Sequence, residues 1–353
     1  MVKNKNTIAT PPGVTIKEQL VDKNMSQKEF SARMDMSEKH ISKLINGEVL
    51  LTTDMAMRLE MVLGIPAHFW NNLESIYREK LALINEENEM EEDKLIVKKF
   101  PYKEMVKFGW IREANTLEGK VFELRKFFEI VKLSMLTSKR ISGIVCRRQA
   151  ISDKADYALL AFAQRAKLEA RNISTQPISI RKLQYAIPEI RSLTKENPES
   201  FCHRLELLLA QCGIALVFLP SISGSFLHGA TFVDGNKIVM GLTVRGKDAD
   251  KFWFSLFHEI GHIIKGHIFN DSLSINESEL EADEYARDVL IPNKDLDSFV
   301  RNNKITLKTI NDFASNEGID EGILVGRLQK DGYIKYNQFN SLKKKYKLVM
   351  WLY

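Results

Sequence analysis

The chain has 353 residues, with 51 Lys and Arg against 46 Asp and Glu, a net charge of +5. This length exceeds what one small core organises, so two or three domains are expected, and the mild basicity permits a nucleic-acid partner without demanding one. Cys146, Cys202 and Cys212 form no CxxC metal pair and, being odd in number, cannot all pair internally; with no N-terminal signal core and no apolar run of membrane-span length, a soluble cytoplasmic protein without a membrane partner is expected.

Residues 11–73 read as short helices punctuated by turns. Ile16, Leu20 and Val21 open the first. Ser26 caps a second, with Gln27 at its start and Glu29 at the capping-box position. Ser37 caps a third, Glu38 to Ile45, whose Ile41, Leu44 and Ile45 face inward. Asn46-Gly47 tolerates the positive φ that ends a helix, and a further helix from Thr53 stops at Leu63 before Gly64 and Pro66. This spacing predicts a helix-turn-helix, whose second helix lies in the major groove with its N-terminal residues against base edges. Lys39, His40 and Lys43, sharing an outward face with Ser37, Glu38 and Ser42, are the candidate DNA-reading residues. Ser26, Gln27 and Lys28 stand at a helix N-terminus, where amides and short polar side chains hold phosphate. Domains of this pattern also serve in dimerisation, and a homodimer is expected.

Residues 74–200 are read as a helical linker and middle region. The acidic run Glu86 to Asp93 closes a long amphipathic stretch, taken as an extended helix. Val121 to Leu133 and Ala155 to Ala170 show helical periodicity, with breaks at Gly109, Gly143 and Pro177. Phe127, Phe128 and Phe162 suit a core, and the region carries no chemistry of its own.

Residues 201–300 combine a small β-sheet with a metal-binding pattern. Ile214 to Leu219, Gly229 to Val233 and Lys237 to Leu242 read as strands; an edge strand above a metal can take a peptide by β-addition. His228 is a candidate to stabilise an oxyanion, or a loop histidine without a role. Next comes Phe257-His258-Glu259-Ile260-Gly261-His262. Two histidines four apart share one helical face and can grip one metal ion, and the intervening Glu259 can act as general base toward its water. Unpaired, such groups would be costly among Phe252, Trp253, Phe254 and Ile260.

A third ligand is sought in the acidic helix downstream. Glu279 and Asp283 stand at i and i+4; Glu279 is taken as the ligand and Asp283 as the carboxylate that fixes the tautomer of His258, while Glu277 and Glu281 remain open as alternatives. His267, five residues beyond His262, falls one short of the spacing of a three-histidine motif and is read instead as a helix-end histidine near carbonyls. Residues 301–353 form a helical extension, Leu307 to Asn316 and Ile323 to Gln329, with a basic tail Lys343 to Lys347 that either touches DNA or is solvated.

The segments Met25-Ser26-Gln27-Lys28-Glu29-Phe30, Ser37 to Gly47 and Leu63-Gly64-Ile65-Pro66 resemble the helix-turn-helix of HigA-type antitoxins within the XRE repressors, although Asp35-Met36 stands where such turns usually carry glycine. Gly229-Ala230-Thr231, Phe252 to His262, Glu281-Ala282-Asp283 with Ala286, Leu290-Ile291-Pro292 and Val325 to Gln329 resemble the ImmA/IrrE metallopeptidases. That resemblance implies zinc at His258 and His262, Glu259 as catalytic base and an acidic third ligand, for which Glu279 fits. The expected fold is therefore α+β and predominantly helical: a helix-turn-helix domain, a helical middle and a zincin-like, gluzincin-type HExxH domain with a small sheet. The expected function is a DNA-binding regulator with a zinc-dependent endopeptidase acting on a partner repressor or toxin in a phage-immunity, stress-response or toxin-antitoxin system. The alternative is an antitoxin and autorepressor that neutralises its toxin by binding, with the peptidase fold as scaffold.

Overall fold

The structure is a computed structural model and describes residues 2–3, 7–137, 154–223, 229–243, 248–270 and 274–346. His228, Gly143 and Cys146 lie outside the described residues. The chain is predominantly helical with a small mixed sheet, and it divides into two compact units, Met1–Lys94 and Leu95–Tyr353.

In the first unit, β1 (Val2–Lys3) pairs antiparallel with β2 (Ile8–Ala9) ahead of α1 (Gly13–Asp22), α2 (Gln27–Arg33), α3 (Glu38–Asn46), α4 (Thr53–Leu63) and the start of the 31-residue α5 (Ala67–Val97). Each middle helix begins on a side-chain cap: Ser26 Oγ accepts from the Glu29 amide at 3.1 Å, Ser37 Oγ from His40 at 3.2 Å and Thr52 Oγ1 from Met55 at 3.3 Å. Such caps satisfy amides that have no partner within the helix. The turn from α2 to α3 passes through Asp35 at φ +54°, a left-handed conformation that aspartate adopts more readily than most residues. Gly47 and Gly64 close α3 and α4 at φ +76° and +79°. Ile16, Phe30, Ile41, Leu44, Leu59 and Trp70 form the buried core of this unit. Downstream, Glu74 accepts from the Leu51 amide, and Arg78 joins it to the Val49 carbonyl at 2.9 Å, so α5 holds the loop that follows α3.

The second unit contains α6 (Tyr102–Lys107), α7 (Leu117–Phe128), a 3-10 turn at Leu133–Thr137, α8 (Lys154–Ala170), α9 (Ile180–Ser192) and α10 (Pro198–Gln211). The helix expected over Val121 to Leu133 ends earlier, at Phe128. Glu129 turns left-handed there, its amide bonded to the Arg125 and Lys126 carbonyls and its carboxylate to Arg171. The sheet follows, with β3 (Ile214–Phe218), β4 (Gly229–Asp234) and β5 (Lys237–Leu242) in the order β3-β5-β4. Its central strand β5 is parallel to β3 and antiparallel to β4. β5 is buried from Ile238 to Leu242, as a strand covered on both faces should be, whereas the edge strand β4 alternates.

Among the described residues there follow α11 (Ala249–Ile264), α12 (Ile275–Leu290), α13 (Asn293–Asn302), α14 (Leu307–Glu317) and α15 (Glu321–Lys330). The apolar face of α11 (Phe252, Trp253, Leu256, Phe257, Ile260 and Ile263) is the centre of the core. α11 and α12 approach closely because Gly261 faces Ala282; a methyl on Gly261 would lie only 3.2 Å from the Ala282 backbone. Gly326 on α15 does the same for Asp250, whose carboxylate occupies the space where its side chain would be.

Two lysines of the basic tail are tied into the fold, while Lys345 is exposed and Lys347 lies outside the described residues. Lys343 reaches Asp250 and Lys344 reaches Asp320, each at 2.8 Å, and Tyr346 accepts a hydrogen bond from Trp253 Nε1 at 3.0 Å. Asp320 is buried and Asp250 largely so, so these lysines neutralise charge within the unit, where an unpaired carboxylate would be costly. Gln329 supports the same strap by donating to the Gln338 carbonyl and accepting from Lys343.

Candidate functional site

The fold brings together one face of α11 and the first half of α12. His258 Nε2 lies 3.1 Å from His262 Nε2; Glu279 Oε2 lies 3.3 Å from the first and Oε1 3.5 Å from the second. One ligand atom from each of these three residues can be chosen with all within 4.8 Å of one another. The i,i+4 spacing puts both rings on one side of α11, and the Gly261–Ala282 approach brings Glu279 opposite them. Asp283, one turn on from Glu279, accepts from His258 Nδ1 at 2.7 Å. Of the alternative acids, Glu281 contacts His267 instead, at 3.1 Å.

Charge in this cluster is strongly coupled. Burial works against charging the His258 ring, but the hydrogen bonds to Asp283 and Glu279 and the nearby Glu259 carboxylate outweigh it and raise the pKa to about 10. His258 at 3.3 Å and the His262 ring beside it at 3.5 Å hold the Glu279 carboxyl well below the usual carboxylate range, against its partial burial. A proton thus sits where the donor set would accept a cation.

Two imidazole nitrogens and a carboxylate oxygen are the donors zinc takes when three protein ligands leave a position for substrate or water. The nitrogen of each ring that faces away from the cluster is engaged, which is how ligating histidines are usually held. By donor chemistry the residues fit zinc.

Glu259, one residue past His258, points toward the sheet and is buried. Its space is made by Gly229 at the start of β4, where a methyl would come within 2.6 Å of Glu259 Oε1. The sequence marked Gly229 only as part of a motif; its role as a neighbour of Glu259 depends on how β4 packs against α11. His267 was missed in a different way. It is 3% exposed, with Nδ1 3.0 Å from His262 Nδ1 and Nε2 on Glu281, and so both ring nitrogens face side chains of the site, where a helix-end histidine near carbonyls was expected. Gly266 at φ +76° folds the chain back to place it there.

In the first unit, Gln27, Lys28, Ser37, Glu38, Lys39 and Lys43 are exposed along α2 and α3. Ser42 is half-buried. So is His40, whose Nε2 is shut from solvent without a hydrogen-bond partner, which leaves Lys39 in the first turn of α3 and Lys43 in its last as the long exposed cationic side chains.

A capped α2–turn–α3 pair with a polar outer face on α3 defines a DNA-binding head of the helix-turn-helix class. A helix-turn-helix family profile matches residues 16–70. The uncharacterized HTH-type transcriptional regulator YddM of Escherichia coli K12 is 35% identical over 66 residues, which span 19% of this chain and 70% of that protein. Through this unit the chain belongs to the helix-turn-helix family of DNA-binding regulators. An addiction-module antidote protein of the HigA family from Coxiella burnetii is 27% identical over 24% of this chain and 94% of its own, with a TM-score of 0.22. No helix among the described residues is long and apolar enough to cross a membrane.

Proposed function

We propose that this protein is a DNA-binding transcriptional regulator whose second unit is a zincin-like, zinc-dependent endopeptidase acting on a partner repressor or toxin. The observation that carries this reading is the convergence of His258, His262 and Glu279, with Asp283 on the back of His258. When bound, zinc supplies Lewis acidity toward water and a substrate carbonyl. The chain's own residues do the rest. His258, His262 and Glu279 would hold the ion; Asp283 would keep His258 Nε2 turned toward it; Glu259 would accept a proton from the attacking water at its carboxylate and return it to the leaving amine. The edge of β4 away from β5, which pairs with no other strand among the described residues, would offer backbone groups to an extended peptide. The deciding experiment is metal analysis of wild type beside His262→Ala, followed by incubation of the zinc-loaded protein with the product of the adjacent gene. Stoichiometric zinc lost in the variant, with cleavage by wild type alone, supports the reading; a wild type that takes up no zinc ends it.

The coupled charges set a pH dependence. The pKa of His258 is raised from 6.5 to about 10, so its contribution to the metal-free fold is complete below about 6.5 and is lost as the pH rises through 10. The Glu279 pKa is lowered, so its contribution is present above the ordinary carboxylate value and is lost in acid. As a ligand, His258 would have to give up its Nε2 proton. Calorimetry in buffers of different ionisation enthalpy should therefore show about one proton released per zinc near neutrality, with affinity rising up to about tenfold per pH unit over that range. A pH-independent affinity between 6.5 and 8.5 would contradict the assignment of His258 as ligand.

For the head, exchanging Lys43 for Ala should weaken operator binding across sequences and lower the slope of log K against log salt by about 1 if it neutralises a phosphate. Lys39→Ala, at the front of α3, should instead relax specificity at one base position, which a binding-site selection would read.

A further inference from the structure

His267 and Glu281 lie outside the ligand set, yet they form a chain that ends on it. We infer that Glu281 and His267 are positioning residues that act through His262, a relay that sets which nitrogen of His262 carries the proton and which presents a lone pair to the cation. This rests on the zinc reading above.

The argument is one of donors and acceptors. His262 Nδ1 and His267 Nδ1 face each other at 3.0 Å, and two ring nitrogens can share a hydrogen bond only if one carries hydrogen and the other does not. For a neutral His267 ring its far nitrogen fixes the direction. It lies 3.1 Å from Glu281 Oε2, and an ionised carboxylate only accepts, so in neutral His267 the hydrogen is on Nε2 and Nδ1 is the acceptor. His262 must then donate from Nδ1, which leaves the lone pair on Nε2, the atom directed at His258 and Glu279. The opposite tautomer would point an N–H at the cation.

His258 has the same polarity by a shorter route, because Asp283 accepts from its Nδ1 directly. His262 lies one turn further along α11 and reaches its carboxylate through an intervening imidazole. The two supporting acids are neighbours on α12, Glu281 and Asp283, with Glu279 before them. A buried ring joined at one end to a ligand and at the other to a half-exposed carboxylate is placed to orient His262 from outside.

The test uses the full-length protein. Two-bond proton–nitrogen correlation spectra of metal-free, histidine-labelled protein, with His262→Ala for assignment, should show His262 as the Nδ1–H tautomer. Zinc affinity is measured by competition with a chromophoric chelator. Glu281→Ala and His267→Phe should each weaken it by about 10- to 100-fold, with thermal unfolding of the Glu281 variant unchanged. His267→Gln, whose amide oxygen can accept from His262, should recover most of the loss. If His267→Phe fails to fold, Glu281→Ala still decides, because that side chain is half exposed. A wild type that binds no zinc overturns the zinc reading and the relay with it. A wild type that binds zinc, with His262 found as the Nε2–H tautomer or with Glu281→Ala binding as tightly, overturns the relay alone.

Discussion

A Glu259→Gln protein is expected to lose peptide-bond cleavage by about 10²- to 10⁴-fold, while its zinc content, thermal unfolding and operator binding stay at wild-type levels. The change keeps the volume of a buried side chain, so the pocket made by Gly229 is neither emptied nor overfilled. It leaves the proposed ligands His258, His262 and Glu279 untouched. What it removes is a carboxylate able to take a proton, since an amide is not basic at any pH the fold survives. The same variant separates two kinds of protein. A peptidase loses its effect on the partner, whereas an antitoxin that works by binding alone keeps it. The measurement is a mass-resolved time course of wild type and variant with the adjacent gene product, alongside an operator-release assay. Equal cleavage by both would remove Glu259 from the chemistry; no cleavage by either, with zinc bound and the partner held in a stable complex, would favour the binding reading.

The parts of the molecule that could be read in the sequence are those governed by local geometry. Ser26, Ser37 and Thr52 cap their helices through amides three residues away, so their signal lies within one turn of chain. The pairs His258/His262 and Glu279/Asp283 owe their common direction to helical spacing, and the structure faces the two pairs toward each other. What was not legible depends on chain reversals and distant partners. His267 reaches His262 because Gly266 takes a left-handed turn, and it meets Glu281 because α12 returns alongside α11. A spacing of five residues, read as continuous helix, points that ring elsewhere. Lys343 and Lys344 look like a basic arm until Asp250 and Asp320 are placed beneath them. The early end of α7 turns on Glu129 adopting a conformation unusual for its residue type, held by Arg171 forty-two positions away. In each case the deciding interaction joins segments that sequence periodicity treats separately.

Gly13→Ala is expected to be the most damaging single-methyl addition in the first unit, against the direction that helix propensity suggests. Gly13 begins α1 with an ordinary helical backbone, where alanine is normally favoured by about 1 kcal/mol. The added methyl, however, would lie 1.9 Å from the Ile45 carbonyl oxygen and 2.3 Å from its Cα. Those are backbone atoms near the end of the recognition helix α3, and no rotamer change moves them aside. α1 and α3 must separate, opening the contacts of Ile16 and Leu20 with Ile41, Leu44 and Ile45. Overpacking of this kind costs about 1–3 kcal/mol and occasionally more, and backbone neighbours place it at the upper end. At roughly 4–8 °C per kcal/mol for a domain of this size, unfolding of the unit should fall by on the order of 15 °C, with loss of operator affinity as α3 shifts. Gly64→Ala is the control. A methyl there meets nothing within 4 Å, but φ is +79°, so only the left-handed backbone penalty of about 1–2 kcal/mol applies. The expected order of stability is wild type, then Gly64→Ala, then Gly13→Ala. A Gly13→Ala protein that melts at or above the wild-type temperature would mean that α1 does not pack on Ile45 as described, and the docking of the recognition helix would have to be redrawn.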